Sequence, residues 1–208
     1  RKSPSKGIIN ASATVEAVTA AYTANGASGL SVLTDDPFFG GKLEDLVAAR
    51  ANEIPILRKD FMISEYQLAE ARAFGADVIL LIAACLSPIE VRQLAGKAKE
   101  LELEVLLEIH NEAELEHICP EVDLVGINNR NLKDFEVDIN KSMQLLNMLP
   151  ANKPAVAESG IHSRRTPGGP LPEDDRLRST RTRGRVAAAG RAAGRRARPL
   201  SARIQRGP

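Results

Sequence analysis

No apolar stretch of this chain is long enough to cross a bilayer: the longest, Val78 to Leu86, ends after nine residues, where a membrane helix needs about twenty. No signal peptide precedes the first folded segment, so a cytoplasmic protein with no membrane partner is expected. Cysteine is scarce, Cys85 and Cys119 being the whole supply, which makes a disulfide framework a poor reading. The three histidines, His110, His117 and His162, lack the spacing of metal ligands, and no metal or other cofactor is expected. No Gly-x-Gly-x-x-Gly follows an apolar run, which argues against a dinucleotide-binding fold.

Lysine is missing altogether from residues 163–208, and so are aromatics. That segment carries 13 Arg against 3 acidic residues, a net of +10, whereas residues 1–162 carry 6 Arg and 9 Lys against 24 acidic residues, a net of −9. The formal charge of +1 is a cancellation between two unlike segments. Residues 1–162 therefore read as one domain and 163–208 as an Arg/Gly/Ala/Pro-rich tail with no apolar period able to bury a face. Such a tail can be disordered and hold RNA or another polyanion through its arginines, or be an inert solvated extension. The preferred reading is translation in a shifted frame, because off-frame reading of GC-rich codons yields Arg, Gly, Ala and Pro without Lys; nucleic acid is then not expected as a partner.

Within the first 162 residues, short apolar runs recur at Gly29–Leu33, Ile54–Leu57, Asp77–Ile82, Val105–Leu107, Leu124–Ile127 and Ala155–Ala157. Their starts are roughly 20 to 30 residues apart, the length of a βα unit. Helical patterns fill the gaps. Thr14 or Ser12 can cap a segment carrying Val15, Val18, Ala21 and Tyr22, and others run from Leu43 to Asn52, Glu65 to Phe74 and Pro88 to Leu101. Pro88 suits a first helical turn. Glu112–Ile118 is short, and Asn140–Leu149 places Met143, Leu146 and Leu149 on one side. The alternation predicts a parallel α/β sheet, either a (β/α) barrel or a doubly wound sheet.

Three of the runs end in Leu57-Arg58-Lys59-Asp60, Leu107-Glu108 and Ala157-Glu158-Ser159. Parallel strands of one barrel bring their ends to one face, which would gather a lysine and two carboxylates where acid and base chemistry is done. A carboxylate closing so apolar a run as Val105–Leu107 is partly desolvated, so Glu108 is expected to have a raised pKa. Plainer alternatives exist for each: Lys59 as a surface lysine, Glu108 as a helix cap, Asn128 and Arg130 as groups that satisfy loop carbonyls, and Gly40-Gly41 as a turn needing positive φ.

Several segments resemble indole-3-glycerol-phosphate synthase in order and spacing. They are Lys2-Ser3-Pro4-Ser5-Lys6-Gly7, Ser31-Val32-Leu33-Thr34-Asp35 with Phe38-Phe39-Gly40-Gly41, Leu57-Arg58-Lys59-Asp60-Phe61, Gly75-Ala76-Asp77 with Leu80-Leu81-Ile82, Glu108-Ile109-His110-Asn111-Glu112, Gly126-Ile127-Asn128-Asn129-Arg130-Asn131-Leu132 and Glu158-Ser159-Gly160-Ile161. The resemblance covers residues 1–162. It implies a (β/α)8 TIM barrel that converts 1-(2-carboxyphenylamino)-1-deoxyribulose 5-phosphate into indole-3-glycerol phosphate, carbon dioxide and water in tryptophan biosynthesis, as a carboxy-lyase without a cofactor. It further implies Lys59 as general acid, Glu108 as acid or base of the dehydration, and Glu158 at the reacting centre. Ser3, Ser159 and Gly160 fall at the phosphate, and Asn128 and Arg130 at the rest of the small phosphorylated substrate.

Departures from the family pattern set further expectations. A glutamate and a lysine of the family's first strand would lie ahead of Arg1, and its last strand with a Gly-Ser phosphate loop has no counterpart in the tail. The barrel is thus expected to be incomplete, with strands 2–7 recognisable and strands 1 and 8 missing. At 208 residues the chain is also shorter than the roughly 250 typical of this barrel. Open edges at Gly29 and Ala155, an uncovered interior and little or no synthase activity should follow. Fusion to, or association with, another tryptophan-pathway enzyme is compatible with the resemblance. Phosphoribosylanthranilate isomerase, another phosphate-binding barrel, would need a first-strand cysteine base that the chain does not show.

Overall fold

The computed structural model of the chain describes residues 2–4, 7–130 and 139–159, the side chains of 139–142 excepted, together with the backbone of 165–166, 169–170 and 177–179. A two-residue hairpin, β1 (Lys2–Ser3) with β2 (Gly7–Ile8), leads into α1 (Val15–Ala24), β3 (Leu30–Leu33), α2 (Asp36–Phe39) and α3 (Glu44–Ala49). Then follow β4 (Ile56–Lys59), α4 (Glu65–Ala73), β5 (Val78–Ile82), α5 (Pro88–Glu100), β6 (Glu104–Ile109), β7 (Leu124–Asn128), α6 (Ile139–Met148) and β8 (Ala155–Glu158). From the tail come β9 (Arg165–Thr166), β10 (Gly169–Pro170) and β11 (Leu177–Ser179). Strands β3 to β8 pair in chain order, all parallel. That succession of single crossovers is the wall of a (β/α)8 barrel, here incomplete.

Local chemistry explains where the elements start. Thr14, not Ser12, caps α1, its side chain accepting the N–H of Ala17. Ser87 and Glu90 form a reciprocal cap ahead of Pro88 on α5, and Ser64 with Gln67 does the same for α4. The short Glu112–His117 segment is a 3-10 helix, and the four-residue α2, capped by Asp35, had no periodic signal to reveal it. Gly40 has the positive φ expected of it (66°). Gly41 serves another purpose: a Cβ there would stand 2.1 Å from the carbonyl oxygen of Leu33, so glycine is required by close approach to β3.

Alternation along each strand sorts the apolar residues into two layers. Ile79, Leu81, Val105, Leu107, Val125 and Ile127 face outward into a core shared with Leu68, Val91, Leu94 and Leu146. Leu57, Val78, Leu80, Leu106, Leu124 and Val156 face the barrel interior. The interior was expected to be uncovered; these six are at most 4% exposed and Ile82 of the same layer 8%, but on the β3 side it is open, the inward Ser31 opposite Leu57 being exposed. The edge beyond β8, expected to be empty, is occupied over three residues by β11, parallel and in register from Leu177 opposite Ala155 to Ser179 opposite Ala157. Beyond β3 no strand pairs among the described residues.

At the N-terminal ends of the strands one device recurs. Asp77, just ahead of β5, accepts the N–H of Ile56 at the start of β4 (2.8 Å) and pairs with Arg50 at 2.6 Å. Asp123, just ahead of β7, accepts the N–H of Val105 (2.7 Å) and pairs with Lys99. Each carboxylate fastens a strand to its neighbour through a backbone donor in the first two residues of that strand. Asp77→Ala is expected to lower the unfolding free energy by ~1–3 kcal/mol, measured as a drop in the urea midpoint of the purified chain.

Candidate active site

The alternation that turns these apolar residues inward also turns the charged strand ends inward. Lys59 closes β4 two residues after inward Leu57, Glu108 follows Leu106 on β6, Asn128 follows Leu124 and Gly126 on β7, and Glu158 follows Val156 on β8. Register puts Glu108 opposite Gly126 and Asn128 opposite Glu158. All four therefore converge on the interior at the C-terminal mouth, the end of such barrels where chemistry is done.

Lys59 is the centre. Its Nζ lies 3.3 Å from Glu108 Oε2 and 3.7 Å from Glu158 Oε2. Glu108 Oε1 accepts the Nδ2–H of Asn128 at 3.0 Å and stands 3.3 Å from His110 Nε2. The imidazole contact is electrostatic, off the line of a hydrogen bond. Glu158 has less support: its Oε1 is buried without a hydrogen-bond partner among the described residues.

This difference in company separates the two carboxyls. Burial pushes Glu108 up, but the Lys59 ammonium, His110 and Asn128 outweigh it and hold the group well below its usual 4.5, at about 2. The expectation of a raised pKa at Glu108 is therefore reversed, because desolvation is overcome by two cations and an amide. At Glu158 burial prevails over the pull of Lys59, and the like charge of Glu108 adds to it, lifting the carboxyl to about 7. Burial opposes the charge on Lys59, yet Glu158 and Glu108 together raise its pKa.

Neighbouring residues that sequence reasoning passed over hold this arrangement in place. A Cβ on Gly126 would meet Glu158 Oε1 at 2.3 Å, so the missing side chain makes the room that the carboxyl occupies. Asn129, 1% exposed, donates from its backbone N–H and from Nδ2 to the carbonyl of Glu158 (both 3.0 Å), and from Nδ2 to that of Ser159 at 3.1 Å. It steadies Ser159 in a left-handed conformation (φ 64°) that a non-glycine residue adopts at a cost. On the outer side of β4, buried Arg58 donates to Thr34 Oγ1 (3.0 Å) and pairs with Asp60 and Glu70, each at 2.9 Å. The residues on both sides of Lys59 are thereby fixed. Strand alternation was the available signal for His110, which shares a face with Glu108.

The remaining expected residues flank the cluster. Asn128 satisfies no loop carbonyl: its Oδ1 accepts the backbone N–H of Arg130 (3.0 Å), while its amide donates to Glu108. Arg130 and Ser3 are half-buried; Ser3 sits in the β1–β2 hairpin, whose Lys2 side chain lies against Gly40. Gly160 lies outside the described residues.

Two outcomes follow. Gly126→Ala should evict the Glu158 carboxyl from its pocket, bringing its titration down from about 7 toward 4.5 with the sheet intact, as read by carboxyl carbon NMR. Because the folded-state pKa of Glu158 is raised, its contribution to stability is fully present below pH 4.5 and is lost as pH rises through about 7. The urea midpoint should decline across that window by the equivalent of ~1–3 kcal/mol, and Glu158→Gln should flatten the decline.

Comparison with known proteins agrees with this geometry. The family model described as indole-3-glycerol phosphate synthase matches residues 1–167. Relatives of that name from Bacteroides thetaiotaomicron and Koribacter versatilis are 51% identical over 162 residues and 49% identical over 166. These matches cover 77% and 79% of this chain, and 62% and 64% of the relatives; the chain spans a little under two thirds of their length. Among solved structures, 3-hexulose-6-phosphate synthase from Salmonella typhimurium (TM-score 0.52, 12% identity, 63% of this chain and 67% of that one) shares the fold. So does KGPDC from Streptococcus mutans (TM-score 0.52, 11% identity, 70% and 72%). A lysine between two carboxylates at the mouth of an incomplete (β/α)8 barrel, together with half-identical relatives along four fifths of its length, makes the chain a member of the indole-3-glycerol phosphate synthase family.

Proposed function

We propose that the site performs the closing step of indole formation in tryptophan biosynthesis, converting 1-(2-carboxyphenylamino)-1-deoxyribulose 5-phosphate into indole-3-glycerol phosphate, carbon dioxide and water in the cytoplasm. The observation that carries this reading is Lys59 Nζ held 3.3 and 3.7 Å from two carboxylates at the barrel mouth. Ring closure needs a cation at the ketone oxygen as the aromatic carbon attacks, and the raised pKa of Lys59 keeps its ammonium charged for that purpose. Decarboxylation then restores the aromatic ring. Dehydration needs an acid for the departing hydroxyl and a base for a proton on the neighbouring carbon. Glu158, titrating near 7, is the carboxyl suited to give and take a proton, whereas Glu108, held ionised, fixes the ammonium and remains an acceptor. This moves the proton-carrying role from Glu108, where the sequence suggested it, to Glu158.

Binding completes the reading. Ser3, Ser159 and Gly160 are assigned to the phosphate, where hydroxyls and loop N–H groups surround an anion without bulk. Arg130 is assigned to the substrate carboxylate through its planar fork.

The chain covers 62% of the Bacteroides relative, and the proposal assigns full turnover to a polypeptide of that complete length. The purified chain should therefore give little or no indole fluorescence with the substrate. A chimera in which residues 2–159 replace the matching segment of the Bacteroides thetaiotaomicron relative should turn it over, and Lys59→Met in that chimera should reduce kcat by at least ~1,000-fold, about 4 kcal/mol of transition-state stabilisation. A folded chimera without turnover, or one indifferent to Lys59→Met, would overturn the assignment.

A further inference from the structure

We propose that His110 is a positioning residue of this site: its imidazolium, clamped between Glu108 and Glu114, keeps Glu108 fixed and ionised and so leaves Glu158 as the proton carrier. The geometry is a row of groups, Glu108 buried and His110 and Glu114 half-buried. His110 Nε2 lies 3.3 Å from Glu108 Oε1 and Nδ1 lies 3.4 Å from Glu114 Oε2, with the three side chains 11%, 4% and 13% exposed. Glu114 is fastened in turn, its Oε2 accepting the backbone N–H of His110 (2.7 Å) and its Oε1 the Nδ2–H of Asn111 (2.6 Å).

Nδ1 makes the hydrogen bond, to Glu114; a neutral imidazole with its one N–H there would leave an Nε2 lone pair 3.3 Å from Glu108 Oε1, whereas the imidazolium sets positive charge against both carboxylates. Burial disfavours that charge, but Glu108 and Glu114 overcome it and raise His110 to about 9. The other ionisable groups around it are Glu158 across the interior on β8, Lys59 on β4 beyond Glu108, and the Cys85 thiol in the turn after β5. Burial, with Glu108 and Glu114 adding, pushes that thiol up, so it stays neutral. From Glu114 inward the charges alternate: carboxylate, imidazolium, carboxylate, ammonium. Removing the imidazolium would leave Glu108 with Lys59 and an amide, less able to stay ionised beside Glu158.

NMR titration of the full chain tests this without any turnover. His110 should titrate near 9; in Glu114→Gln its pKa should fall, and in His110→Gln that of Glu108 should rise, each by about one pH unit, with His110→Lys restoring Glu108. Titration of His110 near 6.5, or an unmoved Glu108 in folded His110→Gln, would overturn the inference. Should His110→Gln not fold, the Glu114→Gln titration decides alone. The catalytic consequence rests on the proposed synthase reading. In the chimera His110→Gln should lower kcat about tenfold with KM little changed and move the alkaline limb of the pH profile. A chimera that turns over with a profile untouched by His110→Gln refutes the positioning role and spares the synthase reading. Shifted titrations in a chimera without turnover do the reverse.

Discussion

An ammonium held between two carboxylates above an apolar interior is the interaction on which this site depends. Below Lys59 the barrel is lined by Leu57, Val78, Leu80, Leu106, Leu124 and Val156, an apolar layer that solvates a charge poorly. The cation is tolerable because Glu108 and Glu158 arrive from strands across the interior, and the carboxylates are tolerable because the cation is there. Each depends on a strand register that is itself set by alternation, since a slip by one residue would turn Lys59 outward and bring Arg58 into the barrel.

Two like charges around one cation are made unlike by their neighbours. Glu108 receives Lys59, Asn128 and His110, whereas Glu158 receives Lys59 at longer range and leaves one oxygen unpartnered. The pocket that permits this is the bare α-carbon of Gly126. A site that requires one group to hold a charge and another to exchange a proton obtains both from the same residue type through environment alone. Around it the structure spends polar contacts on stiffness: Arg58 on the outer face of β4 and Asn129 behind β8 fix the backbone beside Lys59 and Glu158.

Much of this was legible in the chain. Apolar runs at βα spacing located six strands to within two residues at each end, and the polar residue at the end of each run located the mouth. The β4 run was placed too early because Arg58 and Lys59 do not look like strand residues; in a barrel the last residues of a strand line the mouth, and polarity there is no bar to pairing. Gly41 was misread because a glycine needed for close approach looks the same in sequence as one needed for positive φ. The burial of the interior layer from β4 to β8 was not foreseen from the strand count. His110 was weighed as a metal ligand by its spacing to other histidines, when its significant neighbours were carboxylates.

Periodicity and strand-end chemistry, which are local, determined by themselves that this chain builds a parallel α/β wall and that Lys59, Glu108 and Glu158 stand at its carboxyl ends. Only the tertiary structure decided which carboxylate stays charged. Ionisation is set by the sum of burial and every neighbouring charge, and Lys59 and Asn128, 49 and 20 residues from Glu108 along the chain, become its neighbours only when the strands curl together.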